Sequence, residues 1–160
     1  MMVMMDTLVT ALLWFCAIGC AVIGGLFFAF STFIMTALGR IDQPAGIAAM
    51  NAINVVILRS PFMPVFFGTT VASVALAVIS VTRWGEPGAL AMAAGGVIYV
   101  LGMFVVTMAF NVPLNNQLAR TPTAEVWTRY LKEWTLWNHV RTVAPIVASA
   151  LFICALIAAT

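Results

Sequence analysis

Four long apolar runs decide what this chain can fold into: residues 8–37, 62–82, 89–110 and 142–159. A helix needs roughly 20 apolar residues to cross ~30 Å of hydrocarbon. Each run meets or approaches that length. Backbone groups in lipid must be paired internally, which leaves helices and closed barrels. Barrel strands alternate apolar and polar residues, and these runs are apolar all round. The expected fold is all-α: a transmembrane four-helix bundle forming one membrane domain over residues 1–160. With 64% hydrophobic and 8% charged residues and a mean hydropathy of +1.11, little is left for a soluble domain. No Lys or Arg precedes the first run, only Asp6. That run is about twice the length of a signal core, so it reads as a retained span.

The connections carry further signals. Asp42-Gln43-Pro44 marks a helix start. A short helix is expected over 45–59, stopped by Ser60-Pro61 and lying at the interface. Ile47, Asn51, Asn54 and Leu58 share one of its faces. Ala17, Ala21, Gly25 and Ala29 recur every four residues, a small-residue stripe that lets helices approach. Gly95-Gly96 and Gly102 suggest the same in the third span. Thr69 and Ser73 are spaced to hydrogen-bond across helices. The first span is expected to tilt, bend at Gly24-Gly25 or extend into the cytoplasm. Thr121 before Pro122 is expected to cap a helix running through Trp137 into the fourth span, with a kink at Pro145.

Charge sets orientation. Arg40, Arg59, Arg120, Arg129, Lys132 and Arg141 fall in the first and third connections, and only Arg83 in the second. The positive-inside rule puts connections one and three in the cytoplasm and both termini outside. The expected location is the cell membrane, with the lipid bilayer as partner. A net charge of +2 is too small to point to nucleic acid. Cys16, Cys20 and Cys154 lie inside spans, with no CxxC and no disulfide framework. Cys16 and Cys20 share a helix face and read as packing, with a metal pair as the alternative.

Polar chemistry is concentrated between residues 111 and 141. Asn111 and Asn115 are four apart and can converge. At 100° per residue, Trp127, Tyr130, Leu131, Trp134, Asn138 and Arg141 fall in an arc of about 100°, with Trp137 at its edge. Arg129, Lys132 and Glu133 lie opposite. The expected pocket has amides (Asn54, Asn111, Asn115, Asn138), one cation (Arg141) and flat walls (Tyr130, Trp134, Trp137). Such a pocket suits a flat lipophilic molecule with a carbonyl or enolate oxygen. His139, the lone imidazole, suits proton removal, although a regular helix turns it about 100° away from Asn138. The alternatives are an aromatic belt at the membrane interface and asparagines acting as structural glue. No metal cluster, phosphate loop, nucleotide fingerprint or acyl-transfer triad is present. No carboxylate lies in a span, which argues against a proton-coupled pump. A metal oxidase with ligands from neighbouring copies around His139, in a homo-oligomer, stays open.

Three motifs, Asn51-Ala-Ile-Asn54, Asn111-Val-Pro-Leu-Asn115 and Trp134-Thr-Leu-Trp-Asn-His-Val-Arg141, resemble the anthrone oxygenase-like family of small integral membrane proteins. The resemblance covers nearly the whole chain, and the last motif is the most specific. It implies oxidation of a small lipophilic anthrone to an anthraquinone, with dioxygen as co-substrate and no added cofactor. In such a reaction His139 would be the base, and Arg141 with Asn138 or Asn111 would hold the oxyanion. A fold follows from such a likeness far better than a reaction does. The runner-up is a non-enzymatic membrane protein, a small-molecule binder or an accessory subunit.

Overall fold

A computed structural model describes residues 2–158, with side chains from Asp6 to Ala158; Ala159, the expected end of the fourth span, lies outside them. Among the described residues the regular elements are all helical. Four helices are long and apolar enough to cross a membrane: α1 (Asp6–Arg40), α3 (Phe62–Thr82), α4 (Ala89–Arg120) and α5 (Ala124–Ala158). The short helix α2 (Gln43–Ile57) lies between α1 and α3, with Pro44 in its first turn. The expected fold is therefore the one found. α1 packs against α5 and α3, and α4 packs against α3 and α5. The four form a closed ring in the order α1, α3, α4, α5. α2 lies against the end of α1 and the late turns of α4.

The helices outrun the apolar runs. α4 continues ten residues past Phe110, and α5 starts well before Thr142. Hydropathy marks only the part of a helix that lipid requires. The amphipathic remainder keeps its ladder by packing one face. Pro145 sits inside α5 without ending it, but it has no N–H to give the carbonyl of Arg141 four residues earlier.

Three expectations need correction. Thr123, not Thr121, caps α5: its Oγ1 accepts from the Val126 N–H at 3.3 Å. A residue before proline is pushed towards extended backbone, and Thr121 has φ −135°, ψ 75°. In the stripe on α1, Ala17 is buried, whereas Ala21 and Gly25 are exposed. A strict spacing of four drifts about 40° per step on a helix. The larger set Leu13, Cys16, Cys20, Ile23 and Phe27 takes the inner face instead. In α3, Ser73 meets Cys16 at 3.7 Å, but Thr69 Oγ1 has no partner among the described residues. The glycines of α4 do pack closely. A Cβ on Gly96 would stand 2.5 Å from the Ser73 carbonyl, and one on Gly102 would stand 2.4 Å from the Ala144 Cβ.

α1 is regular through Gly24-Gly25 and widens into a π turn at Phe30–Ile34. α4 has two more, at Val100–Val105 and Thr107–Asn111. The last ends just before Pro113. That residue cannot donate and its ring crowds the carbonyl four residues back, so the ladder there cannot close as a regular α turn. π turns are rare and often sit at functional sites.

The interior divides in two. One apolar cluster, built on Cys16, Ile23, Leu76, Tyr99 and Phe152, fills most of the bundle's length. A second, around Met50, Leu118, Trp127, Tyr130 and Trp134, fills the end covered by α2.

Candidate functional site

The inner face of α5 is the one that helical spacing predicts: Trp127, Tyr130, Trp134, Asn138 and Arg141 are all buried. Arg129 and Glu133 pair on the outer side at 2.8 Å. Arg141 is 3% exposed. Its Nη2 donates to Asn138 Oδ1 at 2.9 Å. Its guanidinium carbon lies 4.3 Å from the Phe27 ring centroid and 4.7 Å from that of Trp134. Both distances fall within the range of cation–π attraction. Its Nε is buried with no partner, and among the described residues no carboxylate pairs with it. A guanidinium has five N–H donors. A buried charge left short of partners costs several kcal/mol.

Asn138 holds this cation in place. Its Nδ2 donates to the Phe27 carbonyl at 2.9 Å and to Ser31 Oγ at 2.8 Å. Ser31 Oγ in turn lies 2.9 Å from Thr142 Oγ1, which donates to the Asn138 carbonyl at 2.9 Å. Ser31 sits on the π turn of α1, so the wide turn brings its hydroxyl to the network.

Two further asparagines come from α4. Asn115 Oδ1 accepts from Tyr130 OH at 2.7 Å and from Trp134 Nε1 at 2.8 Å. Asn111, fully buried at the end of a π turn, donates to the Trp134 carbonyl at 3.2 Å. Its Oδ1 is buried without a partner, as are Asn54 Nδ2 and Asn51 Oδ1 on α2. The walls are stacked rings. Trp127 and Tyr130 lie 5.8 Å apart, as do Tyr130 and Trp134. Trp137, half-buried, stacks on Phe110 at 3.7 Å.

Asn111, Asn115, Tyr130, Trp134, Asn138 and Arg141 thus come together, with Asn54 beside Tyr130. His139 does not join them. It is exposed on the outer side of α5, because successive residues on a helix diverge by about 100°; the expectation of a base beside Arg141 is corrected. Asn111, Tyr130, Trp134, Asn138 and Arg141 are each 3% exposed or less, whereas Asn54, Asn115 and Trp137 at the margin of the cluster are half-buried. A cavity of ≈ 370 Å³ lies at the opposite end, lined in part by Asp6, Arg83, Glu86 and Met92. There Arg83 bonds Asp6 at 2.6 Å. Among the described residues no three of His, Cys, Asp or Glu gather as a metal site.

Sequence reasoning missed Phe27, Ser31 and Thr142. Ser31 carried a signal, because Ser31-Thr32 interrupts an otherwise apolar stretch. Phe27 carried none, since its part is played by a backbone carbonyl and a ring face.

Residues 61–151, more than half of the chain, match the sequence profile of a family described as anthrone oxygenase. The match takes in α3, α4 and α5 as far as Leu151, and so Asn111, Asn115, Asn138 and Arg141. No curated protein and no solved structure matches the chain.

Proposed function

The chain belongs to the anthrone oxygenase family, and from that premise we propose that it is a membrane-embedded oxygenase. Its substrate would be a flat lipophilic carbonyl or phenolic compound of the anthrone type, with dioxygen as co-substrate. The observation that carries this reading is Arg141: a cation buried among aromatic rings, held by one amide and lacking a counter-anion. An oxyanion would supply what it lacks.

The chemistry follows from the substrate. Loss of a proton from the carbon between the two rings of an anthrone gives an anion whose charge resides largely on the carbonyl oxygen. Arg141, oriented by Asn138, would hold that oxygen and so favour deprotonation. The electron-rich carbon would then reduce dioxygen and form a C–O bond. The resulting hydroperoxide loses water to give the quinone. One oxygen atom enters the product and the other leaves in water, so this route requires no flavin or metal. Among the described residues no imidazole or carboxylate is paired with Arg141, so the proton would pass to water or to a phenolate of the substrate. His139 would take part only across an interface with a second copy. Metal analysis of the purified protein tests whether such an oligomer holds an ion there.

The decisive experiment is turnover of an emodin-anthrone-like compound by purified protein in nanodiscs. Quinone formation should exceed that of empty nanodiscs, consume one dioxygen per quinone, and survive a chelator. A rate equal to the blank would favour the second reading, a non-enzymatic binder or accessory subunit. That reading draws on the internal satisfaction of Asn115 and Asn138.

The cluster's end of the bundle carries Arg40, Arg59, Arg120, Arg129 and Lys132, all exposed. On that bias it would face the cytoplasm of the cell membrane, with both termini outside. Cysteine labelling that placed 44–59 and 114–128 on opposite sides of the membrane would overturn this orientation.

A further inference from the structure

Phe110 and Trp137 stand apart from the other ring contacts. Their centroids are 3.7 Å apart and their planes differ by 10°, so the faces overlap almost squarely. Aromatic pairs prefer offset or edge-to-face contacts with centroids about 4.5–7 Å apart, because their quadrupoles are mismatched when the faces meet squarely. The other ring pairs here lie at 5.3–6.4 Å. The pair is also peripheral. Phe110 is 38% exposed, and Val140, one turn beyond Trp137 on α5, is exposed to the same degree.

Behind the pair lies the cluster. Asn111, next to Phe110 on the same π turn, is fully buried and keeps an unpartnered Oδ1. Trp137 is one turn from both Trp134 and Arg141 on α5, neighbours at spacings of three and four.

We infer that Phe110 and Trp137 form a lateral slot that takes planar fused-ring carbonyl compounds from the bilayer and passes them edge-on to Arg141. A conjugated carbonyl ring is electron-poor. Placed between two electron-rich faces, it replaces one electrostatically mismatched stack with two complementary ones, whereas an aliphatic ketone offers no ring face to stack. The slot also gives the buried Arg141 a route by which a lipophilic substrate arrives from the lipid side. The inference rests on the oxygenase reading for its substrate, but its test does not need turnover.

The test uses the full-length protein in phosphatidylcholine nanodiscs, with 9,10-anthraquinone partitioned into the lipid. Tryptophan fluorescence should be quenched saturably, and the saturable part should be lost in Trp137→Leu and regained in Trp137→Phe/Phe110→Trp. Phe110→Ala should weaken binding by about 10-fold, the loss of one stacked face. An aliphatic ketone of similar hydrophobicity should not compete. Circular dichroism and gel filtration verify that each variant is folded. Saturable quenching that persists in folded Trp137→Leu, or equal competition by the aliphatic ketone, overturns the slot. Trp137-dependent quenching without anthrone turnover would leave the slot standing and remove the oxygenase. Turnover without that quenching would do the reverse.

Discussion

In the half of the bundle nearer Asp6 the buried polar groups are hydroxyls; in the half around Arg141 they include amides and a guanidinium. The hydroxyls mostly use backbone carbonyls. Thr70 bonds Phe66 at 2.8 Å, Ser80 bonds Ala77 at 2.7 Å, and Ser149 bonds Ala17 at 2.8 Å. A hydroxyl has one proton to place, and a helix supplies carbonyls for it within one turn. Amides and guanidinium have more donors and acceptors than a packed bundle provides. Their surplus remains at Asn51, Asn54, Asn111 and Arg141, against the Thr69 hydroxyl in the other half. The difference teaches that a buried polar residue in a membrane bundle points to a ligand by its unfilled capacity, not by its presence.

The sharpest way to break this contrast is Arg141→Met. Removing a buried, unpaired charge should leave the melting temperature unchanged or raised, while quinone formation falls by about 10²–10³-fold. A loss of fold with no separate loss of rate would make Arg141 structural. In the other half the opposite pattern is expected. Gly96→Leu should cost about 1–3 kcal/mol by driving α4 off Ser73 and Ala77, read as the midpoint of denaturant unfolding in detergent, with little change in rate per folded molecule.

A finer comparison sets one hydrogen-bonding group against another. Asn138→Leu breaks bonds to Phe27, Ser31 and Arg141 and should cost about 1–2 kcal/mol. Ser80→Ala removes a hydroxyl that bonds the Ala77 carbonyl of its own helix and should cost less than about 0.5 kcal/mol. Equal costs would erase the distinction. The smallest effect is expected for His139→Ala. Its exposed ring should leave stability within about 0.5 kcal/mol. The rate should fall less than the 10²-fold or so that loss of a general base would produce.

The sequence is a good guide wherever a single helix decides the outcome. The apolar runs gave the four long helices, and the spacing of Trp127, Tyr130, Trp134, Asn138 and Arg141 gave the inner face of α5. It is a poor guide where two helices decide together. The arc that gathers Asn138 and Arg141 carries no information about Phe27 or Ser31, which lie on α1 and meet Asn138 only after the ring of helices closes. The π turn at Phe30–Ile34 likewise has no compositional mark. Hydropathy could not show that Asn111 and Asn138 would be fully buried while a cavity opened near Asp6. The small residues of α1 misled for a simpler reason: their repeat of four is not the helical repeat of 3.6.

The pairing of α1 with α5 has a consequence for biogenesis. α1 leaves the ribosome well before α5, and Asn138 reaches back 111 positions to the Phe27 carbonyl. Until α5 has been made, α1 has no cover for the part of its inner face that α5 packs, and Ser31 lacks both Asn138 and Thr142. The ring cannot close by degrees, because its last member supplies the walls for both neighbours. A nascent chain stopped before Asn138 therefore displays an open seam between α1 and α4, with an unmet hydroxyl on one side and an unmet asparagine on the other. Membrane proteases and insertases that survey exposed polar groups in lipid would have a distinct mark by which to tell an unfinished molecule from a finished one.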